Sequence, residues 1–218
     1  MKSVVFLVSG GGGNLKFFYF AIKNNLIAGV ELSVIADREC GALAFAKKHG
    51  IEHHLITYTR SSPEALNQIL ESINPDTIVT NWYKVIDEDT VARYLGKLVN
   101  LHYSLLPAFG GLIGVEPIKR AYEQGCKFIG PTCHLVDEGI DTGKILSQAV
   151  FTTERPFEEA VNLMFRKGCL VLLSGMQQTL RQNISSAHAS SSDGSYSPQL
   201  GFEESIFNEQ FWKELAAA

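Results

Sequence analysis

Residues 4–18 read VVFLVSGGGGNLKFF, in which an apolar run meets four consecutive glycines, Gly10–Gly13, followed by Asn14 and an apolar restart. A short, continuously apolar segment bounded by a glycine turn predicts a buried strand over 3–8, with a helix over 14–27 behind the turn. The run is too short for a secretory leader, and no small-residue cleavage pattern follows it. Four missing side chains in a row mean that something approaches this backbone closely. Such a turn can hold an anion on its N–H groups, and it can equally be a tight corner where helix and strand pack. It lacks the Lys-Ser/Thr ending of an ATP-binding loop. It also lacks the spacing of a dinucleotide fingerprint, which Asp37 completes only in part.

Outward from that turn, strands and helices alternate. VELSVIAD (30–37) predicts a strand, residues 40–49 an alanine-rich helix, and HHLITYT (53–59) a short strand. SSPEALNQILESINP (61–75) has a cap, an early proline, an apolar stripe at Leu66, Ile69 and Leu70, and a proline stop, the marks of a helix. DTIVTNW (76–82), DEDTVARYLG (87–96) and KLVNLHYS (97–104) read as strand, helix and strand. This order predicts an α/β fold with an open, mostly parallel, Rossmann-like sheet covered by helices on both faces. Residues 129–151 alternate polar and apolar positions around a Gly/Asp-rich loop, a β-loop-β unit, and 156–182 form a long helix. Residues 184–198 hold seven serines and two alanines and read as a mobile linker. The expected division is 1–182 for the main domain, 183–201 for a serine-rich linker and 202–218 for a last helix. That helix sets Phe207, Phe211 and Leu215 on one stripe that docks on the domain.

The 218 residues are 45% hydrophobic with a formal net charge of -4. Such a chain can fill a sizeable core, and its charge makes no general case for nucleic-acid binding. No stretch approaches the ~18 apolar residues of a membrane span. Cys40, Cys126, Cys133 and Cys169 are scattered without metal-ligand spacing, so reduced thiols and a cytoplasmic location are expected.

The chemistry concentrates in two further stretches. In NLHYSLLPAFGG (100–111), Asn100 and His102 are two apart and share one side of an extended strand. An amide donor beside an imidazole can stabilise an oxyanion and handle a proton; both residues can also be structural. In HLVDEGIDTG (134–143), Asp137, Glu138 and Asp141 crowd one loop. A carboxylate set against His102 can orient it, while a solvated turn is the plain alternative. A metal held by His134, Asp137 and Asp141 fits poorly, and none is expected.

With SGGGGNL (9–15), NLHYSLLPAFGG (100–111) and GPTCHLVDEGIDTG (130–143) in this order, the chain resembles the folate-dependent formyltransferase family over residues 1–182, nearest to its purine-pathway branch. The resemblance implies that an amine attacks the formyl carbonyl of 10-formyltetrahydrofolate, here the amine of glycinamide ribonucleotide. It implies catalytic roles for Asn100, His102 and Asp141. Gly12, Gly13 and Asn14 then hold the phosphate of a small phosphorylated amine. Trp82, Tyr83, Lys84, Val85 and Ile86, in NWYKVI (81–86), line the folate pocket, with Asp137 and Glu138 on its pterin side. No nucleic acid or membrane partner is implied, and a homodimer is allowed.

Several residues depart from the family pattern. Lys84 stands in the place of an arginine and lacks its planar fork. Gly13 replaces a serine. MFRKGCLVLL (164–173) replaces a Gln-x-x-Glu-His stretch that touches the acceptor, and VEPIKRA (115–121) is similar to a segment of the enzymes that formylate methionyl-tRNA. Alternatives are therefore another amine acceptor such as a nucleotide-linked amino sugar, a formyltetrahydrofolate hydrolase, or a non-catalytic folate- or nucleotide-binding protein. Hydrolases of this type usually carry an N-terminal regulatory domain, and this chain starts on its first strand.

Overall fold

The computed structural model describes residues 1–181 and 195–218. Its first half is the alternation that the sequence predicts: β1 (Lys2–Val8), α1 (Gly13–Lys23), β2 (Val30–Ala36), α2 (Gly41–His49), β3 (Glu52–Leu55), α3 (Glu64–Ile73), β4 (Thr77–Asn81), α4 (Glu88–Arg93) and β5 (Leu98–His102). There follow α5 (Glu116–Glu123), β6 (Phe128–Ile129), β7 (Thr132–Leu135), β8 (Ile145–Ala149), β9 (Phe151–Thr152), α6 (Phe157–Leu180), β10 (Tyr196–Ser197), a 3-10 turn at Glu204–Ile206 and α7 (Glu209–Ala216). The main sheet has the order β10-β8-β7-β5-β4-β1-β2-β3, and β6 pairs with β9 separately. Strands β3, β2, β1, β4 and β5 are parallel, while β7, β8 and β10 run antiparallel at the other side.

Alternation along the strands decides which helices cover which face. Val4, Phe6 and Val8 pack with α1, α2, α6 and α7, whereas Val5 and Leu7 pack with α3 and α4. A third cluster joins Ile118 and Ala121 of α5 to Ile129, Phe151 and Met164.

The glycine turn owes much of its composition to packing. Gly12 has φ 72, in the left-handed region, and a side chain there would place Cβ 2.6 Å from Ala42 Cβ. A Cβ on Gly13 would stand 2.7 Å from the Phe165 ring of α6. Two helices therefore press on this corner, whatever else it binds.

The elements differ from the sequence expectation in several places. The first helix ends at Lys23, where Asn25 turns left-handed at φ 56. The strand expected over 53–59 pairs only through Leu55, and Tyr58 turns into the α3/α4 cluster instead. The short α5 has no counterpart in the sequence reading. Residues 183–194 of the expected serine-rich linker lie outside the described residues. Its end, Tyr196–Ser197, pairs with Gln148 and Ala149 as an edge strand. After the 3-10 turn, α7 seats Phe211 and Trp212 against Phe17 of α1, at centroid distances of 5.6 and 5.7 Å. Among the described residues no helix is long and apolar enough to cross a membrane.

Candidate active site

β1 lies between β2 and β4, so the chain's winding direction reverses there, and the loops leaving β1 and β4 part from each other. Open α/β sheets bind ligands in the crevice formed at that point, beyond the carboxyl ends of the strands. A cleft of about 370 Å³ occupies this place, within the usual size for a small-molecule site. Four stretches and Asn14 line it: 80–86 from the end of β4 onward, 100–103 at the end of β5, 111–114, and residues between His134 and Asp141.

Strand β5 carries Asn100 and His102, and its antiparallel partner β7 sets His134 directly opposite Asn100. The loop that follows β7 then returns Asp141 to the pair. His102 Nδ1 lies 3.2 Å from Asp141 Oδ2, while His102 Nε2 donates to the Phe109 carbonyl at 3.0 Å. His134 has the same arrangement. Its Nδ1 donates to the Leu135 carbonyl at 2.8 Å, and its Nε2 faces Asp141 Oδ1 at 3.5 Å, an ion-pair contact longer than a hydrogen bond. A carbonyl only accepts, so one proton on each ring is fixed away from the carboxylate. The Gly111 N–H donates to Asp141 at 2.8 Å. Burial pushes the Asp141 carboxyl up, but the contacts from His134 and Gly111 and the charge of His102 hold it below the usual carboxylate value.

Asn100 points its Nδ2 at Thr80, 2.7 Å from the carbonyl and 2.9 Å from Oγ1. Its orientation is thereby fixed at the cleft edge, because only the NH2 end can face a carbonyl. Thr80 Oγ1 itself donates to the Val99 carbonyl, so the whole pair is anchored in the sheet.

Trp82–Ile86 form one wall of the cleft. Trp82 packs on Tyr58 with ring centroids 4.8 Å apart and the planes tilted by 31°, and its buried indole N–H has no hydrogen-bond partner among the described residues. Lys84 is the lone Lys or Arg among the described residues lining the cleft. Asp137 lines it too, but its Oδ1 accepts from the Gly139 N–H and the Thr142 hydroxyl and so shapes the loop. Glu138, Gly12 and Gly13 do not line the cleft; Asn14 does, 3.4 Å from Asn81 Oδ1. The helical ladder of α1 begins with Lys16 N–H on the Gly12 carbonyl, which leaves the preceding N–H groups without intrahelical partners. Asp37, the partial sign of a ribose site, is paired with Arg38 at 2.8 Å.

His134 as the second imidazole on Asp141 was missed by the sequence reading, as were Thr80 and the Gly111 N–H. The sequence reading weighed His134 only as a poor metal ligand beside Asp141; the pairing of β5 with β7, which no local pattern encodes, sets it opposite Asn100. Among the described residues no group of three or more His, Cys, Asp or Glu is placed to hold a metal.

Known proteins share this architecture. A phosphoribosylglycinamide formyltransferase of Vigna unguiculata is 34% identical over 158 residues, covering 68% of this chain and 51% of that protein. A formyltetrahydrofolate deformylase of Haemophilus influenzae is 29% identical over 144 residues, covering 64% of this chain and 50% of that protein. The chain thus spans about half the length of these two curated relatives. The solved glycinamide ribonucleotide transformylase 1 of Geobacillus kaustophilus superposes with a TM-score of 0.73 at 26% identity, over 83% of this chain and 99% of that one. The formyl transferase family model matches residues 2–164, from the first strand through Asn100, His102 and Asp141 into α6, and the chain belongs to that family.

Proposed function

We propose that the protein transfers the formyl group of 10-formyltetrahydrofolate to the amine of glycinamide ribonucleotide. The observation that carries this reading is the convergence of Asn100, His102 and Asp141 at the mouth of a cleft at the switch point. The wall Trp82–Ile86 fits a flat, polar heterocycle: Trp82 has an orphaned buried donor, and Tyr83 and Val85 offer exposed apolar surface. Lys84 supplies positive charge for an acidic tail.

Each residue then has a defined task. Asn100 donates the hydrogen that Thr80 Oγ1 holds here, the weaker of its two contacts, to the oxygen that gains charge as the amine adds to the formyl carbon. His102, held between Asp141 and the Phe109 carbonyl, shares with Asn100 in stabilising that oxygen. Asp141 accepts the surplus amine proton through a water, and that proton passes back to the folate nitrogen as its bond to the carbon breaks, so that tetrahydrofolate leaves with its N–H restored. The unpaired N–H groups at the start of α1 hold the acceptor's phosphate. The free cysteines accord with a reducing cytoplasm.

Tetrahydrofolate release, followed spectrophotometrically, tests the reading with no acceptor, with glycinamide ribonucleotide and with a panel of amino sugars. Release that requires glycinamide ribonucleotide is expected. Release at the same rate without any amine makes the protein a hydrolase instead, and dependence on an amino sugar moves the acceptor.

A further inference from the structure

Tyr103, one residue beyond β5, belongs to the opposite side of the strand from Asn100 and His102. Its ring packs with Leu101 against Gly168 of α6, where an added Cβ would stand 3.2 Å from both side chains. This is the face of the sheet that α1 and α6 cover, whereas Trp82 and Ile86 cluster with α3 and α4 on the other. The cleft therefore has two sides, and Tyr103 lines it on the side of the glycine turn.

The Tyr103 hydroxyl has no hydrogen-bond partner among the described residues. It is not one of the buried orphan atoms, which are His49 Nε2, Trp82 Nε1 and His134 Nε2 among the described residues, and the residue lines the cleft. The Cys169 thiol is a close neighbour; it donates to Asn14 Oδ1 at 3.5 Å and so connects this spot to the first turn of α1. Burial raises the phenol well above its ordinary value, which keeps the hydroxyl a neutral donor. No Lys or Arg stands beside it to balance an anion, because Lys84 is on the other wall. The site suits an uncharged oxygen.

We infer that Tyr103 is an acceptor-binding residue whose hydroxyl donates to a neutral oxygen, an amide carbonyl or a hydroxyl, flanking the nucleophilic amine. This rests on the formyl-transfer reading above.

The test is Tyr103→Phe in the full chain, which keeps the ring against Gly168 and removes only the hydroxyl. Titration with glycinamide ribonucleotide and, separately, with tetrahydrofolate is read by calorimetry, and steady-state rates are measured beside it. Acceptor affinity should fall by roughly tenfold, and the acceptor KM should rise by the same factor, with tetrahydrofolate affinity within twofold of wild type. Unchanged acceptor affinity overturns the inference, and so does weakened tetrahydrofolate binding, which would move Tyr103 to the other side of the cleft. Wild-type protein that does not bind glycinamide ribonucleotide overturns it as well. Wild-type protein that binds the acceptor through Tyr103 yet releases formate overturns only the transfer reading.

Discussion

Asp141 is the residue on which the site converges, since two imidazoles and one backbone N–H address its two oxygens. Asp141→Asn keeps the size and removes the charge, so kcat/KM for formyl transfer should fall by ~10²-fold or more while the fold survives. The same contacts make a pH prediction. A carboxyl whose pKa is lower in the folded than in the unfolded chain contributes stability that is present above about pH 4 and lost as the pH falls through the folded value. The melting temperature of wild type relative to Asp141→Asn should therefore decline as the pH falls below about pH 4; a difference that grows over that range would reverse the sign of the interaction. Asn100 and His102 were legible because a two-residue spacing on a strand sets side chains together. His134 was not, because its position opposite Asn100 is a property of strand pairing between segments some thirty residues apart.

At the scale of elements, the glycine turn has a packing reason as well as a ligand reason. Gly12→Ala would combine a left-handed backbone with a methyl 2.6 Å from Ala42 Cβ, at a cost of about 1–3 kcal/mol for the strain alone, with overpacking added. A lowered denaturant midpoint with an unchanged m-value is the expected result. The alternation from β1 to β5 could be read from local pattern because buried parallel strands are short apolar runs closed by turn residues. The edge strand at Tyr196–Ser197 could not, since serine-rich composition conceals it. The side chain that anchors it, Lys167, with Nζ 3.1 Å from the Tyr196 hydroxyl, comes from the middle of α6. The short α5 offers only Ile118 and Ala121 as fully buried non-proline positions, too few for a periodic signal.

Across the whole molecule, residues 202–218 share one core cluster with β1 and α1. Phe202, Phe207, Phe211 and Trp212 are all buried, and Arg166 of α6 pairs with Glu209 of α7 beneath the Trp212 ring. Trp212→Ala should cost about 3–5 kcal/mol of stability. It should lower the melting temperature by several degrees and leave the KM for the formyl donor unchanged, because Trp212 lies outside the cleft. The sheet reversal between β2 and β4 around β1 is what makes a cleft at all, and it brings Asn14, Trp82 and His102 to one opening from three distant parts of the chain. The central claim is that this opening delivers a formyl group to an amine. Its most direct test is to incubate the full chain with 10-formyltetrahydrofolate and glycinamide ribonucleotide, and to quantify formylated amine and free formate by mass spectrometry. One formylated amine for each tetrahydrofolate released is the predicted result; formate accumulating in place of the formylated amine would contradict it.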